Sequence, residues 1–279
     1  PDAMYSKLKE EKLSICLSEE ILGYLNPDSE IEEEELVAET VKTRLKLTEE
    51  LGYVIPKIVF QDDENLNPYE FSIKIRGVDV FTATVYPNFL MFFADELHTE
   101  KKIKNSVSAI DEITGKKIIW VEKTLTKDFW QNGMSGSEFI ARALEFSAVK
   151  YVDELLDYDQ LDKYIDVVSQ NNEYLVENII PDYISLSDLR YILTSLVREK
   201  VSIKNISYIF EKINDFAEES SKSDLIKKIR LTMARQICRN LSNEENTISA
   251  FEVSDKTMDK FLPNFEESED AIIRIDASF

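Results

Sequence analysis

The first half of the chain alternates between helix-like and strand-like patterns of apolar residues. The apolar run from Leu13 to Leu17 predicts a short strand. A helix is predicted from the acidic run at Glu32 to about Glu50, because glutamates are favoured in the first turn, and Gly52 is typical of its end. Five apolar residues are expected to form its buried side: Leu36, Val37, Val41, Leu45 and Leu47.

From Lys57 to Phe93 the pattern changes to period two and to short apolar runs. Turn residues separate the runs, so we expect a small sheet of at least three strands. The stretch from Glu96 to Lys117 is polar and is predicted to be irregular, followed by a strand at Ile118 to Val121. Pieces this short indicate a small α+β subdomain inserted into the first. The runs are Ile58 to Phe60, Phe71 to Ile75, Val78 to Phe81 and Phe89 to Phe93.

Helical spacing dominates the second half. Ser135 and Glu138 match a capping box and predict a helix that continues through Leu156. Between Leu189 and Ile237, apolar residues recur three and four positions apart, and short connectors predict a compact antiparallel bundle.

After Asn240 the pattern becomes mixed again. A strand is predicted at Thr247 to Val253, a helix at Lys256 to Leu262 and a last strand at Ala271 to Ile275. These pieces are typical of the start of another α/β unit. The predicted fold class is therefore α+β with several subdomains.

The composition narrows the classes of function. The chain has 279 residues, and 54 Asp and Glu against 33 Lys and Arg give a formal net charge of −21. Such a negative field disfavours nucleic acids and anionic lipid surfaces as partners, because both are bound through clustered cations. The acid excess either keeps the surface solvated or steers basic partners.

Cysteine usage and hydropathy indicate the compartment. Cys16 and Cys238 are the two cysteines and lie far apart in sequence, which fits a reducing compartment and disfavours a structural zinc site. No apolar run approaches the roughly 20 residues that a membrane-spanning helix needs. The cytoplasm is the expected location.

Candidate chemistry is sparse. His98 is the one histidine, and it lies in a polar stretch without a nucleophile beside it. No glycine-rich phosphate loop is present, and the adjacent carboxylates Asp62 to Glu64 lack the spacing of a calcium loop. We therefore expect no catalytic residue, metal or cofactor. The aromatic group of Trp120, Phe129 and Trp130 is interpreted as core or as a partner-binding groove.

Six segments carry a resemblance to a known family. In this order, they resemble the first and third soluble subdomains of the FlhA/SctV (FHIPEP) family, the export-gate proteins of flagellar and injectisome type III secretion. Val201 to Asn205 and Ala234 to Cys238 lean toward different branches of the family, so the flagellar and injectisome assignments both stay open. The segments are Glu50 to Pro56, Leu66 to Val78, Tyr174 to Glu177, Leu189 to Leu196, Arg198 to Asn205 and Ala234 to Cys238.

The resemblance implies four subdomains, with the second inserted in the first. Residues 5–87 and 139–156 would form the first subdomain, an α/β unit, and residues 88–138 the inserted second one. Residues 157–240 would form the helical third subdomain, and residues 241–279 a partial fourth.

The resemblance also implies partners and a location. Members form a homo-oligomeric, nonameric ring at the cytoplasmic face of the bacterial inner membrane. They dock export chaperones and substrates, and work with the export ATPase complex and other export-gate components. Membrane attachment would come through segments outside this chain.

The resemblance points to one candidate docking cleft between the first two subdomains. Flagellar members use an Asp-x-x-Phe-Gly element, and here Asp111 and Gly115 match it while Thr114 takes the Phe position. Trp120 follows at the expected distance, and Arg142 begins the pair that replaces a Thr-His pair. The implied chaperone- and substrate-binding residues are therefore Asp111, Thr114, Gly115, Trp120 and Arg142.

Two other classes of function stay open on the sequence. One is an adaptor that works alone, without a membrane anchor. The other is a hydrolase that uses carboxylates of the α+β half.

Overall fold

The computed structural model describes residues 2–5, 8, 11–26, 36–97, 103–126, 133–262, 265–266 and 272–273. The chain divides into two compact units, which we call the first unit (Pro1–Gln160 with Thr194–Lys204) and the second unit (Leu161–Leu193 with Asn205–Phe279). Within the described ranges, no helix is long and apolar enough to cross a bilayer. The sequence features at Glu32 to Glu35, His98, Phe129 and Trp130 lie outside the described residues.

The first unit contains a four-stranded sheet with the order β2-β1-β3-β4. Strand β1 pairs in parallel with β2, and the other neighbours are antiparallel. Every residue of β1 is buried, including Cys16, and the predicted strand at Leu13 to Leu17 is confirmed. The strands are β1 (Leu13–Leu17), β2 (Val59–Asp62), β3 (Glu70–Ile75) and β4 (Val78–Thr84).

A second, three-stranded antiparallel sheet has the order β5-β7-β6 and comprises β5 (Phe89–Phe93), β6 (Ser106–Ile110) and β7 (Lys117–Glu122). Strand β6 lies in the stretch from Glu96 to Lys117, so the prediction that this stretch is irregular was wrong. β6 is an edge strand whose residues are all at least partly exposed, and its serines and alanine give little apolar contrast. Its pairing with β7 supplies the order that the sequence pattern does not show.

Two long helices cover the first unit, and two short ones accompany them. Helix α3 contacts β3, β4 and β5 and packs against α2. The predicted capping box is confirmed, since Ser135 accepts from the Glu138 amide and the Glu138 carboxylate accepts from the Ser135 amide. The helix ends at Lys150 rather than at Leu156, because Tyr151 leaves the helical conformation. The helices are α1 (Asp2–Tyr5), α2 (Leu36–Leu51), α3 (Gly136–Lys150) and α4 (Val152–Leu155).

The buried face of α2 differs from the predicted one. Val37, Val41 and Leu45 are 37%, 46% and 55% exposed, so their predicted burial was wrong. The buried stripe instead combines Leu36 and Leu47 with two threonines at helical spacing, Thr40 and Thr43. A threonine tolerates burial when its hydroxyl is bonded, and the Thr40 hydroxyl donates to the carbonyl of Val37 at 2.8 Å.

The second unit is helical. Helix α8 packs against α6 and α9. The predicted core positions Leu189, Ile192, Ile209, Phe210 and Ile229 are all fully buried, which confirms the helical spacing. The helices that follow α4 in the chain are α5 (Tyr158–Asn171), α6 (Glu173–Ile179), α7 (Leu186–Arg198), α8 (Ile206–Phe216), α9 (Lys222–Thr232) and α10 (Ala234–Leu241).

The end of the chain contains α11 (Asp255–Phe261), which confirms the predicted helix, and the two-residue strands β8 (Phe265–Glu266) and β9 (Ile272–Ile273), which pair antiparallel. Residues 247–253 form no strand and are exposed, so that prediction was wrong. No described strand lies beside them to supply backbone hydrogen bonds. The combination of helices with mainly antiparallel sheets confirms the α+β class.

Candidate docking site

A buried ion pair ties the β6–β7 hairpin to helix α3. The Arg142 guanidinium donates from Nη1 to Oδ1 of Asp111 and from Nη2 to Oδ2, both at 2.9 Å. Asp111 is fully buried, and 22% of the Arg142 side chain is exposed. Such a two-bond pair fixes orientation as well as distance. The tip of the hairpin is therefore positioned against the helix by residues that the sequence had already singled out.

Asp111 also shapes the loop that joins β6 to β7. Its amide donates to the Lys116 carbonyl at 2.8 Å, and its carbonyl accepts from the Gly115 amide at 2.8 Å. Its carboxylate accepts from the Thr114 amide at 3.1 Å and from the Thr114 hydroxyl. Gly115 has a φ of 70°, a left-handed conformation that favours glycine. Asp111, Thr114 and Gly115 thus act as one turn, with Thr114 exposed at its tip.

The charge of Asp111 is stable in this environment. Burial favours the neutral acid, but the hydrogen bonds from Arg142 and Thr114 and the charge of Arg142 outweigh it, so the pKa of Asp111 lies below its usual range. The carboxylate is therefore ionised at neutral pH. It cannot act as a general acid there, and its role is to hold Arg142.

Trp120 belongs to the core and does not face partners. It is 1% exposed, and its ring centroid lies 5.7 Å from that of Tyr86 and 5.4 Å from that of Phe139. Phe139 in turn contacts Phe71 of the four-stranded sheet at 6.3 Å. The prediction that Trp120 lines an open cleft was therefore wrong, and its interpretation as core is confirmed. Trp120 positions the site by joining the second sheet to α3.

The ring of Phe93 lies beside the ion pair and contacts two cations. The Arg142 guanidinium carbon lies 5.5 Å from the ring centroid, and Lys116 Nζ lies 5.9 Å from it. Lys116 also pairs with Asp95 at 2.9 Å. These contacts hold Arg142 in place from the side of β5.

A groove of about 570 Å³ opens beside Arg142 in the first unit. One face of α3 forms its wall through Arg142, Glu145, Phe146, Val149 and Lys150. These residues recur at three- and four-residue spacing, which is the period of one helix face. Of these five residues the sequence pointed only to Arg142, because the predicted apolar side of this helix lies on its other face.

Three further segments complete the groove. Lys46 comes from α2, Ile113 from the β6–β7 loop, and Arg198 and Lys200 from the end of α7 and the residues after it. Five cations and one carboxylate therefore border this space in a chain whose net charge is −21. Sequence patterns within one segment cannot reveal such a cluster, because its members meet only in the fold.

The carboxylates at Asp62 to Glu64 serve a structural purpose at one position. Lys74 donates to Asp63 at 2.8 Å, and together with hydrogen bonds from Asn65 it lowers the pKa of Asp63 to about 2. Across the described part of the chain, no group of three or more His, Cys, Asp or Glu side chains is arranged to hold a metal ion.

Comparison with known proteins identifies similar sequences and folds. The sequence profile of the FHIPEP family matches residues 2–278. The flagellar biosynthesis protein FlhA of Bacillus subtilis is 23% identical over 239 residues, which cover 84% of this chain and 35% of that protein. The chain spans about a third of the length of the curated relatives that it matches.

Two solved structures share the fold. The Chlamydia pneumoniae CdsV protein, solved in complex with CdsO, superposes with a TM-score of 0.78 at 17% identity, over 93% of this chain and 76% of that one. The cryo-EM structure of nonameric SctV-C from EPEC gives a TM-score of 0.70 at 18% identity, over 96% of this chain and 79% of that one. At these identities the likeness establishes a common architecture.

Proposed function

The chain belongs to the FHIPEP family, and from this premise we propose that it is the cytoplasmic platform of a type III secretion export gate. In this role it forms a homo-oligomeric ring and receives chaperone-bound export substrates at the cytoplasmic face of the bacterial inner membrane. The observation that carries the proposal is the family match, which extends over residues 2–278 rather than over one motif.

The ring is supported by the shared fold. SctV-C of EPEC, whose structure was solved as a nonamer, superposes on 96% of this chain. The complex of CdsV with CdsO shows that a protein of this architecture docks another protein. We propose the same for this chain, together with contacts to the export ATPase complex and other export-gate components. The role is one of binding and transfer rather than catalysis.

The docking surface that we propose comprises the tip of the β6–β7 loop and the adjoining face of α3. Thr114 is exposed at that tip, and Arg142 is held beside it by Asp111. The ion pair makes this surface rigid, which lowers the entropic cost of binding. Gly115 belongs to it as the residue that completes the turn.

Two measurements test this proposal in cells that express the protein from its own gene. Chemical crosslinking of membranes is expected to give a ladder of species that ends in a ring, and a monomer alone would contradict the platform role. Thr114→Arg places a bulky cation at the loop tip and is expected to weaken the capture of chaperone–substrate complexes while the ladder persists. Lys163→Glu, at an exposed position of α5, is the control and is expected to leave capture unchanged.

A further inference from the structure

The groove beside α3 is lined by two lysines that have no carboxylate partner among the described residues. Three of its five cations are neutralised: Lys46 by Glu145 at 2.9 Å, Arg142 by Asp111, and Arg198 by Asp153. Lys150 and Lys200 form no ion pair with any residue that the structure describes. In a chain with 54 acidic residues, two lysines that border one groove without an ion pair to any described residue are a local reversal of the overall charge.

The backbone places both lysines at the ends of helices. Lys150 is the last residue of α3, and its Nζ lies 5.5 Å from the Phe146 ring centroid and 5.4 Å from that of Tyr151. Lys200 follows α7 and has a φ of 58°, a left-handed conformation that a glycine would adopt without strain. The helix dipole places only about half a negative charge at each C-terminus, so the field of the two lysines stays positive.

The wall and edge of the same groove are apolar at three positions. Phe146 on α3 and Ile113 in the β6–β7 loop are partly exposed, whereas Val149 on α3 is 9% exposed and contributes little surface. A polyphosphate has no apolar group to place against such a surface, and the net charge of −21 repels both polyphosphates and nucleic acids at long range. A protein segment that carries both carboxylates and apolar side chains matches both features.

We propose that this groove binds an acidic amphipathic helix of a partner protein, with carboxylates on Lys150 and Lys200 and apolar side chains against Phe146 and Ile113. This inference rests on the docking role proposed above and names the chemistry of the segment that docks. The two lysines select for acidic segments, whereas Phe146 and Ile113 supply apolar contact.

A direct binding assay on the whole chain tests the proposal. The probe is a fluorescein-labelled peptide of about 16 residues, long enough to form a helix, with leucines on one face and glutamates on the other. Two comparison peptides carry lysines in place of the glutamates or serines in place of the leucines. By fluorescence anisotropy, both are expected to bind at least about tenfold more weakly than the probe.

Charge variants locate the site. Lys150→Glu combined with Lys200→Glu is expected to weaken binding of the probe at least about tenfold and to flatten its dependence on salt. Lys57→Glu combined with Lys163→Glu makes the same change in net charge at exposed positions outside the groove, and a change of less than about twofold is expected. Ile113→Ser is expected to weaken binding while the salt dependence persists, because it removes apolar contact only. Circular dichroism verifies that each variant is folded.

Three outcomes would overturn the inference: equal losses in the groove and control variants, tighter binding of the lysine peptide, or tighter binding of an oligonucleotide or an anionic vesicle than of the probe. The result is separable from the test of the platform role. A normal crosslinking ladder without peptide binding contradicts only the groove, whereas peptide binding without a ladder contradicts only the platform.

Discussion

Replacing Asp111 by alanine removes the carboxylate that holds the β6–β7 loop against α3. Thr114 is exposed, so water replaces the hydrogen bonds that it loses. Arg142 loses two hydrogen bonds of 2.9 Å and its counter-charge, while 22% of its side chain remains accessible to water. Removing one partner of a fully buried pair costs about 3–5 kcal/mol, and the partial hydration of Arg142 lowers our expectation to about 2–3 kcal/mol.

The opposite deletion is expected to cost more. Arg142→Met leaves the fully buried Asp111 without its counter-charge, and nothing but the Thr114 bonds then compensates its desolvation. The double variant removes both charges, so its loss of stability should be smaller than the sum of the two single losses by more than about 1 kcal/mol.

Urea denaturation followed by tryptophan fluorescence measures these losses, since Trp120 is buried in the same unit. Asp95→Ala is the control, because its pair with Lys116 is more than half exposed on both sides, and no measurable change is expected. If the losses from the two single variants add to within about 0.5 kcal/mol, the ion pair does not act as a unit and the reasoning is refuted.

Three further predictions concern backbone geometry, pH and helix capping. Gly52→Ala places a Cβ 2.5 Å from a backbone nitrogen at a φ of 66°, so urea denaturation should show a loss of unfolding free energy of more than about 2 kcal/mol. Gly77 has a similar φ but open space around it, so Gly77→Ala should cost only about 1–2 kcal/mol. Lys74 lowers the pKa of Asp63 to about 2, so the Asp63 carboxylate stabilises the fold fully above about pH 4 and loses this effect as the pH falls. Asp63→Asn should therefore lower the unfolding free energy at pH 7 and match the parent protein near pH 2, as measured by urea denaturation at both pH values. Ser135→Ala should cost about 1 kcal/mol and speed amide exchange in the first turn of α3; unchanged exchange would contradict the capping role.

Local signals explain what the sequence predicted well. The capping box at Ser135 is specified by neighbouring residues, and so is the end of α2 at Gly52, whose φ is 66°. Each depends on backbone preferences or hydrogen bonds within a few residues. Such features need no knowledge of the rest of the fold.

The incorrect predictions share a dependence on distant partners. On α2, the stripe of Val37, Val41 and Leu45 and the stripe that is buried both have helical spacing, and packing against α3 decides between them. Residues 247–253 have a strand-like composition but no described strand beside them. Pattern alone cannot choose in either case, because burial is decided by which surface arrives from elsewhere in the chain.

In the candidate site, too, some residues were predicted from the sequence and others were found only in the fold. The resemblance drew attention to Asp111, Thr114, Gly115 and Arg142, and the structure adds the reason why these residues meet: one carboxylate closes the turn and pairs with the helix. Lys150 and Lys200 escaped notice because each is an ordinary surface lysine in its own segment. Their significance arises from the fold, which brings the ends of α3 and α7 to one groove.

The rates at which the two cysteines are alkylated report how often the first unit opens. Cys238 in α10 is exposed, whereas Cys16 lies in β1 between two neighbouring strands, and burial raises the pKa of its thiol. An alkylating reagent should therefore modify Cys238 at once and Cys16 only when the strands around it separate. The slow phase of labelling under native conditions measures how often that sheet opens, without any engineered reporter.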